Sequence, residues 1–255
     1  MPALQNKTAL VTGASRGIGR AIASALAGEG AHVLVHYGRS TQEAESLVSE
    51  IQTKGGRANA ISVNLGIPNG APLLAKRVRS IAGDRLDVLV LNAGISKAAR
   101  IADYTIEDFD NLFATNVRSP FFLVQQLLPI FGEGSNIIVI SSIGARAVVG
   151  KPGLEHPSLL AYTSTKGALE TLVKNWAAIL GPRGIRVNAV APGVIDTDMS
   201  NFAKTEEGRE VTLGMQALKR IGTPKDIADV VAFLASDGAR WITGASIPVD
   251  GGSKL

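Results

Sequence analysis

The feature that most constrains this chain is a short apolar strand that leads directly into a glycine-rich turn and then into a helix. The strand is predicted over residues 7–11, and the turn after it has the sequence Thr12-Gly13-Ala14-Ser15-Arg16-Gly17-Ile18-Gly19. A helical apolar stripe comes next, and a second strand is predicted over residues 31–37. Glycines in such a turn allow a tight bend, let backbone amides approach a pyrophosphate and let the helix pack closely on the strand. The start of the chain therefore predicts a dinucleotide-binding unit.

Short apolar runs recur along the rest of the chain and are mostly separated by helical patterns. This alternation predicts parallel strands that are joined by helices, in one α/β domain over residues 1–255. A hydrophobic content of 45% with only 5% aromatic residues suits a sheet of this kind. The predicted strands cover residues 8–11, 32–35, 60–63, 87–91, 136–140, 186–190 and 247–249.

The composition argues against several other kinds of protein. The net charge is +4, but the 26 basic residues are interleaved with 22 acidic ones, so we expect no nucleic-acid partner. No run reaches the roughly 18 apolar residues of a membrane span, so we expect a soluble protein with no membrane partner. The chain has no cysteine, and its histidines, His32, His36 and His156, are scattered. We therefore expect no metal site.

Tyr162 and Lys166 lie one helical turn apart in a predicted helix that is otherwise mostly apolar, so both side chains point to one side. Tyrosine ordinarily titrates near pH 10, and lowering its pKa to about 7 needs roughly 4 kcal/mol. A unit positive charge about 4 Å away, at an effective dielectric constant near 20, supplies about that much. The pair is therefore a candidate proton donor and acceptor, although the same spacing arises by chance in many helices.

The spacing of the turn glycines, Gly13-x-x-x-Gly17-x-Gly19, departs from the G-x-G-x-x-G of the common dinucleotide fold. Together with other short motifs, it resembles the short-chain dehydrogenase/reductase family from residue 7 to about residue 252. These motifs are Asn92-Ala93-Gly94, Asn116, Ser142, Tyr162, Lys166 and Pro192-Gly193. The resemblance implies a single-domain Rossmann fold, in which a doubly wound parallel sheet of about seven strands has helices on both faces. It also implies a nicotinamide cofactor.

The same resemblance implies that Asn116, Ser142, Tyr162 and Lys166 are the catalytic residues. Tyr162 would be the general acid in reduction and the base in oxidation. Lys166 would lower the pKa of Tyr162 and bind the nicotinamide ribose. Ser142 would donate a hydrogen bond to the substrate oxygen, and Asn116 would bend its helix and hold a water that relays protons to Lys166. Taken alone, Ser142 is also typical of a strand-end turn, and Asn116 of a polar helix surface.

The second predicted strand ends without a carboxylate, in His36-Tyr37-Gly38-Arg39-Ser40. In the dinucleotide fold, an acidic residue about 20 positions after the turn binds the ribose of NAD, whereas an arginine there accommodates the 2′-phosphate of NADP. Arg39 stands at that position and Arg16 adds a second cation, so we predict NADP(H), with a merely solvated Arg39 as the alternative. Further cofactor-binding positions implied by the resemblance are Tyr37, Ser40, Asn64, Leu65, Asn92, Ala93, Gly94, Pro192, Gly193, Val194, Ile195 and Thr197, with Tyr162 and Lys166. Asn64 stands where the family usually has an aspartate.

Within the family, the chain most resembles 3-oxoacyl-[acyl carrier protein] reductases and relatives that reduce assorted ketones with NADPH. We therefore expect an NADPH-dependent carbonyl reductase with a small-molecule carbonyl substrate. The alternative is an NADP-binding regulatory or scaffold protein without turnover. An enoyl reductase would have a wider Tyr-to-Lys spacing. Against the carrier protein as partner, residues 131–134 contain Glu133 where a basic cluster is usual, although Arg183 matches a docking residue. An inserted loop at 150–157 and a lid-like segment at 198–218 should decide the substrate.

The predicted helix at residues 158–180 has apolar residues around more of its circumference than one buried stripe requires. Together with an apolar helix predicted at 121–131, this indicates packing between subunits, and the family resemblance implies a homotetramer. The alternative is a helix that is wholly buried in its own subunit. The terminal Ser253-Lys254-Leu255 could be a peroxisomal address, but the family often ends just after the glycine pair Gly251-Gly252, so we expect a cytoplasmic protein.

Overall fold

The computed structural model describes residues 3–148 and 153–253, and within these residues seven parallel strands form one sheet. The strands are β1 (Thr8–Val11), β2 (His32–Tyr37), β3 (Arg57–Ser62), β4 (Val88–Leu91), β5 (Asn136–Ile140), β6 (Arg186–Pro192) and β7 (Ser246–Val249). Their order across the sheet is β3-β2-β1-β4-β5-β6-β7. Every predicted run overlaps a strand. β3 begins before the predicted residue 60 because its exposed polar residues break the apolar run, leaving only Ala58 and Ile61 buried.

Helices cover both faces of this sheet, which confirms the doubly wound α/β fold. They are α1 (Gly17–Gly28), α2 (Thr41–Thr53), α3 (Gly70–Ala82), α4 (Ile106–Phe113), α5 (Ser119–Leu127), α6 (Leu160–Leu180), α7 (Glu206–Met215) and α8 (Pro224–Ala235). Val11 belongs to the apolar core under α1, α2 and α8, whereas Leu10 belongs to the core under α3, α5 and α6. Successive side chains of β1 therefore point into two separate cores.

The order of the strands reverses beside β1, which pairs with β2 on one side and with β4 on the other. In open parallel sheets, ligands bind outside the carboxyl ends of the strands at such a point. The glycine-rich turn follows β1 and Asn92 follows β4, so both lie at this crevice. Ser142 and Gly193 follow β5 and β6 along the same edge.

Two helix predictions need corrected bounds. The helix predicted from residue 158 begins at Leu160, because Ser158 instead pairs with Ala99 in an isolated antiparallel bridge. The helix predicted over 121–131 is α5 followed by a 3-10 turn, Leu128–Ile130. Pro129 lies in that turn and has no N–H with which to continue an α-helix.

The two segments that we expect to decide the substrate differ in how much of them is described. Residues 198–218 contain a 3-10 segment, Asp198–Lys204, followed by α7. Residues 150–152 of the inserted loop lie outside the described residues, and so do Lys254 and Leu255 of the terminal tripeptide.

Candidate active site

Three of the four predicted catalytic residues meet where β5 ends against the first turns of α6. The Tyr162 hydroxyl is hydrogen-bonded to the Ser142 hydroxyl. Ser142 also accepts from the Gly144 N–H at 3.1 Å, which fixes it at the start of a short 3-10 turn. Lys166 Nζ donates to the Ile140 carbonyl at 2.8 Å and lies 5.5 Å from the centroid of the Tyr162 ring. The structure therefore places a hydroxyl pair beside a buried ammonium.

The electrostatics of this cluster differ from the sequence-based expectation. Burial raises the pKa of Tyr162, and the hydrogen bond from Ser142 opposes this rise. Burial also lowers the pKa of Lys166 to about 8. The net pKa of Tyr162 is thus raised rather than lowered, because burial outweighs the attraction of the Lys166 ammonium, which donates to Ile140. Tyr162 is therefore protonated at neutral pH, which is the form a proton donor needs.

Asn116 is the fourth residue, and it lies in a π-helical turn, Ala114–Arg118, between α4 and α5. Its side chain is only 1% exposed, so the interpretation as a surface residue is wrong. Its Nδ2 donates to the Ile95 carbonyl at 2.9 Å and to Thr165 Oγ1 at 3.1 Å, and its Oδ1 accepts from the Ile95 N–H at 2.9 Å. π-turns inside helices are frequent at functional sites. Asn116 thus ties this turn to α6 and to the segment after β4.

A methyl group added at Gly94 would lie 3.3 Å from Asn116 Oδ1 and 3.8 Å from Lys166 Nζ. The Asn92-Ala93-Gly94 segment after β4 therefore reaches the catalytic cluster directly. The same segment also holds the glycine-rich turn, because Asn92 Nδ2 donates to the carbonyls of Thr12 at 2.8 Å and Gly13 at 3.0 Å. The N–H groups of Asn92 and Ala93 both donate to Thr12 Oγ1. The glycine-rich turn and the predicted catalytic residues are thus parts of one connected edge.

The glycine-rich turn fits a pyrophosphate. Gly13 has a φ of 64°, a conformation that favours glycine, and a side chain at Gly19 would overlap the Gly13 carbonyl oxygen. The first turn of α1 contains no acidic residue, and Arg16 provides no side-chain cap. The first N–H groups of a helix have no partner within the helix, so they remain available to an anion at this end. Ser15 and Ile18 lie within this same turn.

His36 is a residue of this site that the sequence analysis did not identify. It is buried at the end of β2, where its Nδ1 accepts from the Gly13 N–H at 3.1 Å. Its Nε2 must then carry the proton, and it donates to the Val63 carbonyl at 2.9 Å. The ring therefore joins the glycine turn to the end of β3. The only sign of this role in the sequence was a polar residue inside the apolar strand β2, which ends beside the glycine-rich turn.

We expect His36 to make the protein less stable in acid. Burial lowers its pKa from 6.5 to about 4, and the Val63 hydrogen bond only partly opposes this. Between these values the unfolded chain binds a proton that the folded chain does not. The free energy of unfolding should therefore have its full value above pH 6.5. It should fall by about 3 kcal/mol as the pH is lowered from 6.5 to 4.

Denaturant unfolding at several pH values checks this. The His36→Asn variant should lose that part of the pH dependence. His32→Asn is the matched control, because His32 lies at the other end of β2 and bonds to Asn59. Identical pH slopes for the His36 variant and the unmodified protein would contradict the assignment.

The residues predicted to bind the adenosine part of the cofactor lie at the end of β2 and after β2 and β3. Tyr37 and Leu65 are buried, whereas Arg39 is exposed and forms no ion pair with any residue that the structure describes. Ser40 precedes α2. Asn64 Oδ1 accepts from the Gly66 N–H at 2.9 Å, so this amide shapes its own turn. Arg16, expected as a second cation, instead has Nη1 at 3.7 Å from the exposed carboxylate of Asp198.

The segment after β6 lies against the glycine-rich turn. The Gly193 N–H donates to the Val249 carbonyl at 3.1 Å, and Val194 and Ile195 are buried. Thr197 lies against the glycine turn, since a methyl group at Gly17 would come within 3.3 Å of its Cγ2. The structure therefore brings Pro192 and the predicted residues after it to the same crevice as the turn.

Within residues 3–148 and 153–253, no three His, Cys, Asp or Glu side chains are grouped so that they could hold a metal ion. In the same part of the chain, no helix is both long and apolar enough to cross a bilayer.

Comparison with known proteins agrees with this geometry. A family model described as enoyl-(acyl carrier protein) reductase matches residues 13–254. Versicolorin reductase 1 of Aspergillus parasiticus is 41% identical over 262 residues, which cover 98% of this chain and 97% of that protein. The 3-oxoacyl-[acyl-carrier-protein] reductase of Staphylococcus epidermidis is 42% identical over 253 residues, which cover 98% of this chain and all of that protein.

A solved structure of a short chain dehydrogenase from Burkholderia cenocepacia in complex with NADP superposes with a TM-score of 0.92 at 37% identity. The superposition covers 99% of this chain and 100% of that one. The matching model, the two reductases and this structure all extend over nearly the full chain, including the glycine turn and the Tyr162–Lys166 pair. This chain therefore belongs to the short-chain dehydrogenase/reductase family of oxidoreductases.

Proposed function

We propose that this chain is an NADPH-dependent carbonyl reductase, similar to 3-oxoacyl-[acyl carrier protein] reductases, that interconverts a ketone and a secondary alcohol. The observation that carries this proposal is the Tyr162–Ser142 hydroxyl pair, which lies beside the buried Lys166. These side chains share the carboxyl edge of the sheet with the glycine-rich turn. That arrangement supports the proposal of a proton donor beside a dinucleotide site.

In the proposed mechanism, the hydroxyls of Ser142 and Tyr162 hold the carbonyl oxygen of the substrate. NADPH, when bound, supplies the hydride. Tyr162 gives its phenolic proton to the oxygen as negative charge develops there, and Ser142 stabilises that charge by donating a hydrogen bond. The Lys166 ammonium stabilises the phenolate that Tyr162 leaves behind. Asn116 fixes the π-turn beside these groups and is the proposed site of the proton-relaying water.

The proposed cofactor, NADP(H), is held by the two ends of the crevice. The glycine turn and the first turn of α1 would bind the pyrophosphate, and Arg39 would bind the 2′-phosphate. The exposure of Arg39 and its lack of an ion pair among the described residues leave its guanidinium available. The Burkholderia cenocepacia relative was crystallised with NADP, which supports the same choice here.

Arg39→Asp should reverse the cofactor preference. The change replaces an attractive charge with a repulsive one, so the affinity for NADPH should fall by about 10-fold or more while NADH is favoured. Affinities measured by titration with both cofactors check this. Lys54→Asp, the same charge change at the far end of α2, is the control and should leave both affinities unchanged. Better binding of NADH than of NADPH by the unmodified chain would contradict the assignment.

The substrate that we propose is a free, neutral ketone rather than a carrier-bound acyl chain. Arg183, which matches a docking residue, donates through Nη2 to the carbonyls of Leu128 at 3.1 Å and Phe131 at 2.7 Å. Arg183 is thus engaged in joining the turn after α6 to the segment after α5. Ile95, Met199 and Phe202, which lie in segments after β4 and β6, are exposed apolar side chains suited to an apolar substrate.

A panel of carbonyl compounds with NADPH oxidation as the readout tests the proposal. The panel should contain free aromatic and aliphatic ketones, 3-oxoacyl thioesters on a small thiol and on carrier protein, an enoyl thioester and a keto sugar. Turnover of a free ketone is the expected result. Turnover of the enoyl thioester alone would contradict it, and NADPH binding without turnover of any compound would favour the scaffold alternative.

We also propose a homotetramer. Leu169, Val173 and Trp176 of α6 are buried within the subunit, whereas Ile179 is exposed. A groove of about 720 Å³ lies between α4, α5 and α6, and its lining residues include Phe113, Phe121, Phe122 and Leu172. In homo-oligomers, an exposed apolar surface of this kind is commonly covered by a symmetry-related copy of the same chain.

Light scattering at micromolar concentration should give about four times the 26.5 kDa mass of one chain. A mass of 26.5 kDa would contradict the proposed assembly, and a stable dimer would leave one interface without support. Replacing Phe121 with aspartate should reduce the measured mass of the assembly, because a charge would then face the apolar groove.

Two further proposals concern organisation and location. The chain is proposed to act as one domain over residues 1–255, because strands of a single sheet extend from Thr8 to Val249. It is proposed to be cytoplasmic. The alternative in a eukaryotic source is the peroxisome, because Ser253-Lys254-Leu255 matches a peroxisomal address.

A further inference from the structure

Glu170 is a buried carboxylate on α6 that the proposed mechanism does not use. Its Oε1 accepts from the Ser141 hydroxyl at 3.1 Å and from the Ser246 hydroxyl at 2.7 Å. Its Oε2 accepts from Arg146 Nε at 2.7 Å. The three donors come from three other segments, namely the end of β5, the turn after Ser142, and β7. A buried carboxylate with this many partners holds those segments together, because losing any one of them leaves a charge less well satisfied.

Glu170 also continues the row of residues that forms the proposed catalytic site. Tyr162, Lys166 and Glu170 follow one another at intervals of four residues, so they share one face of α6. The end of β5 meets this face residue by residue. Lys166 donates to the carbonyl of Ile140, and Glu170 accepts from the hydroxyl of Ser141. Tyr162 is hydrogen-bonded to the hydroxyl of Ser142.

Ser142 lies between the two points that Glu170 holds. Ser141 precedes it directly, and Arg146 follows at the end of the 3-10 turn that begins after Ser142. The contact of Ser142 with the Gly144 N–H lies inside this turn, so it does not fix the turn relative to α6. The bonds from Ser141 and Arg146 to Glu170 do fix it, because they attach both sides of the turn to the helix that carries Tyr162.

We propose that Glu170 is a positioning residue for the reduction proposed above, and that its carboxylate holds the Ser142 hydroxyl in register with Tyr162. The inference rests on the proposed function for its effect on turnover, but its structural part does not. Glutamine at position 170 keeps an oxygen for Ser141 and Ser246, but it turns an N–H donor toward Arg146, which is itself a donor. Alanine removes all three bonds. The two replacements should therefore give a graded effect.

Steady-state reduction of a ketone from the panel, NADPH titration and a crystal structure of each variant test this proposal. For Glu170→Ala, kcat should fall by about 10- to 100-fold, since a displacement of about 1 Å at a catalytic group can cost that much. Glu170→Gln should lose less. The Kd for NADPH and the KM for the ketone should stay close to those of the unmodified chain, because neither binding surface changes. In the Glu170→Ala crystal structure, the Ser142 hydroxyl should lie out of hydrogen-bond reach of Tyr162.

Asp87→Asn is the matched control for a general loss of stability. Asp87 is also a buried carboxylate held by an arginine, with Arg85 Nε at 2.7 Å, but it lies at the amino end of β4, away from the site. This variant should lower the melting temperature without lowering kcat. If Glu170→Ala fails to fold, Ser141→Ala removes one of the flanking bonds alone and should still lower kcat.

Two results would overturn the proposal. One is Ser142 in its original place against Tyr162 in the Glu170→Ala structure, or in the Ser141→Ala structure if the former does not fold. The other is a kcat loss in Asp87→Asn as large as that in the Glu170 variant at an equal loss of melting temperature. Absence of turnover in the unmodified chain would count against the proposed function instead, and the crystal structure would then decide the placement of Ser142.

Discussion

Replacing Tyr162 with phenylalanine is expected to reduce the rate of ketone reduction by about 10²-fold or more. The variant loses only the hydroxyl that gives the proton, and the ring still fills the same space beside Lys166. NADPH should bind with nearly unchanged affinity, because the glycine turn and Arg39 are untouched. Steady-state kinetics together with a cofactor titration separate these two quantities.

Ser164→Ala is the control for this change. Ser164 is an exposed hydroxyl on the same helix, where it donates to the Leu160 carbonyl, so its removal should leave kcat unchanged. Near-normal turnover by the Tyr162→Phe variant would remove Tyr162 from the mechanism. An equal loss of rate and of NADPH affinity would instead show that the change had disturbed the cofactor site.

Replacing Lys166 with alanine should reduce both the rate and the affinity for NADPH. The ammonium is proposed to stabilise the Tyr162 phenolate and to bind the nicotinamide ribose, so its loss affects two steps. We expect a fall in kcat of about 10²-fold, because a charge about 4 to 6 Å from a partly buried phenolate contributes a few kcal/mol. Lys166→Met fills the space without the charge and should behave in the same way.

The pH dependence of turnover provides a second check on Lys166. Burial lowers its pKa to about 8, so the ammonium loses its proton as the pH rises through that value. The rate of reduction by the unmodified protein should therefore decline above about pH 8. Lys174→Ala, an exposed lysine on the same helix, is the control and should change neither kcat nor affinity. Full activity in Lys166→Met would contradict both assignments.

Much of the fold could be predicted because it depends on local patterns. Buried parallel strands such as β4 and β5 are continuous apolar runs, and the helices between them have one apolar stripe, so their order predicts a doubly wound sheet. The prediction was poorest at β3, where exposed polar residues alternate with Ala58 and Ile61, and at Ser158, whose partner Ala99 is far away in the chain.

The site was predictable as far as it rests on short motifs. The glycine turn, Tyr162 and Lys166 could be located from their spacing, and the structure brings them to one edge of the sheet. His36 and Glu170 could not be found in this way, because their roles depend on partners from distant strands and loops. The direction of the Tyr162 pKa shift was also wrong, since burial is a property of the packed structure and outweighs the nearby charge here.

The most direct test of the proposed reaction is to follow a deuterium label. The protein is incubated with NADPH that carries deuterium at the transferable position and with a free ketone, and the product alcohol is analysed by mass spectrometry. We expect one deuterium on the carbinol carbon with the unmodified protein, and only a trace of labelled alcohol with Tyr162→Phe under the same conditions. Alcohol without deuterium, or equal labelled product from both proteins, would contradict it.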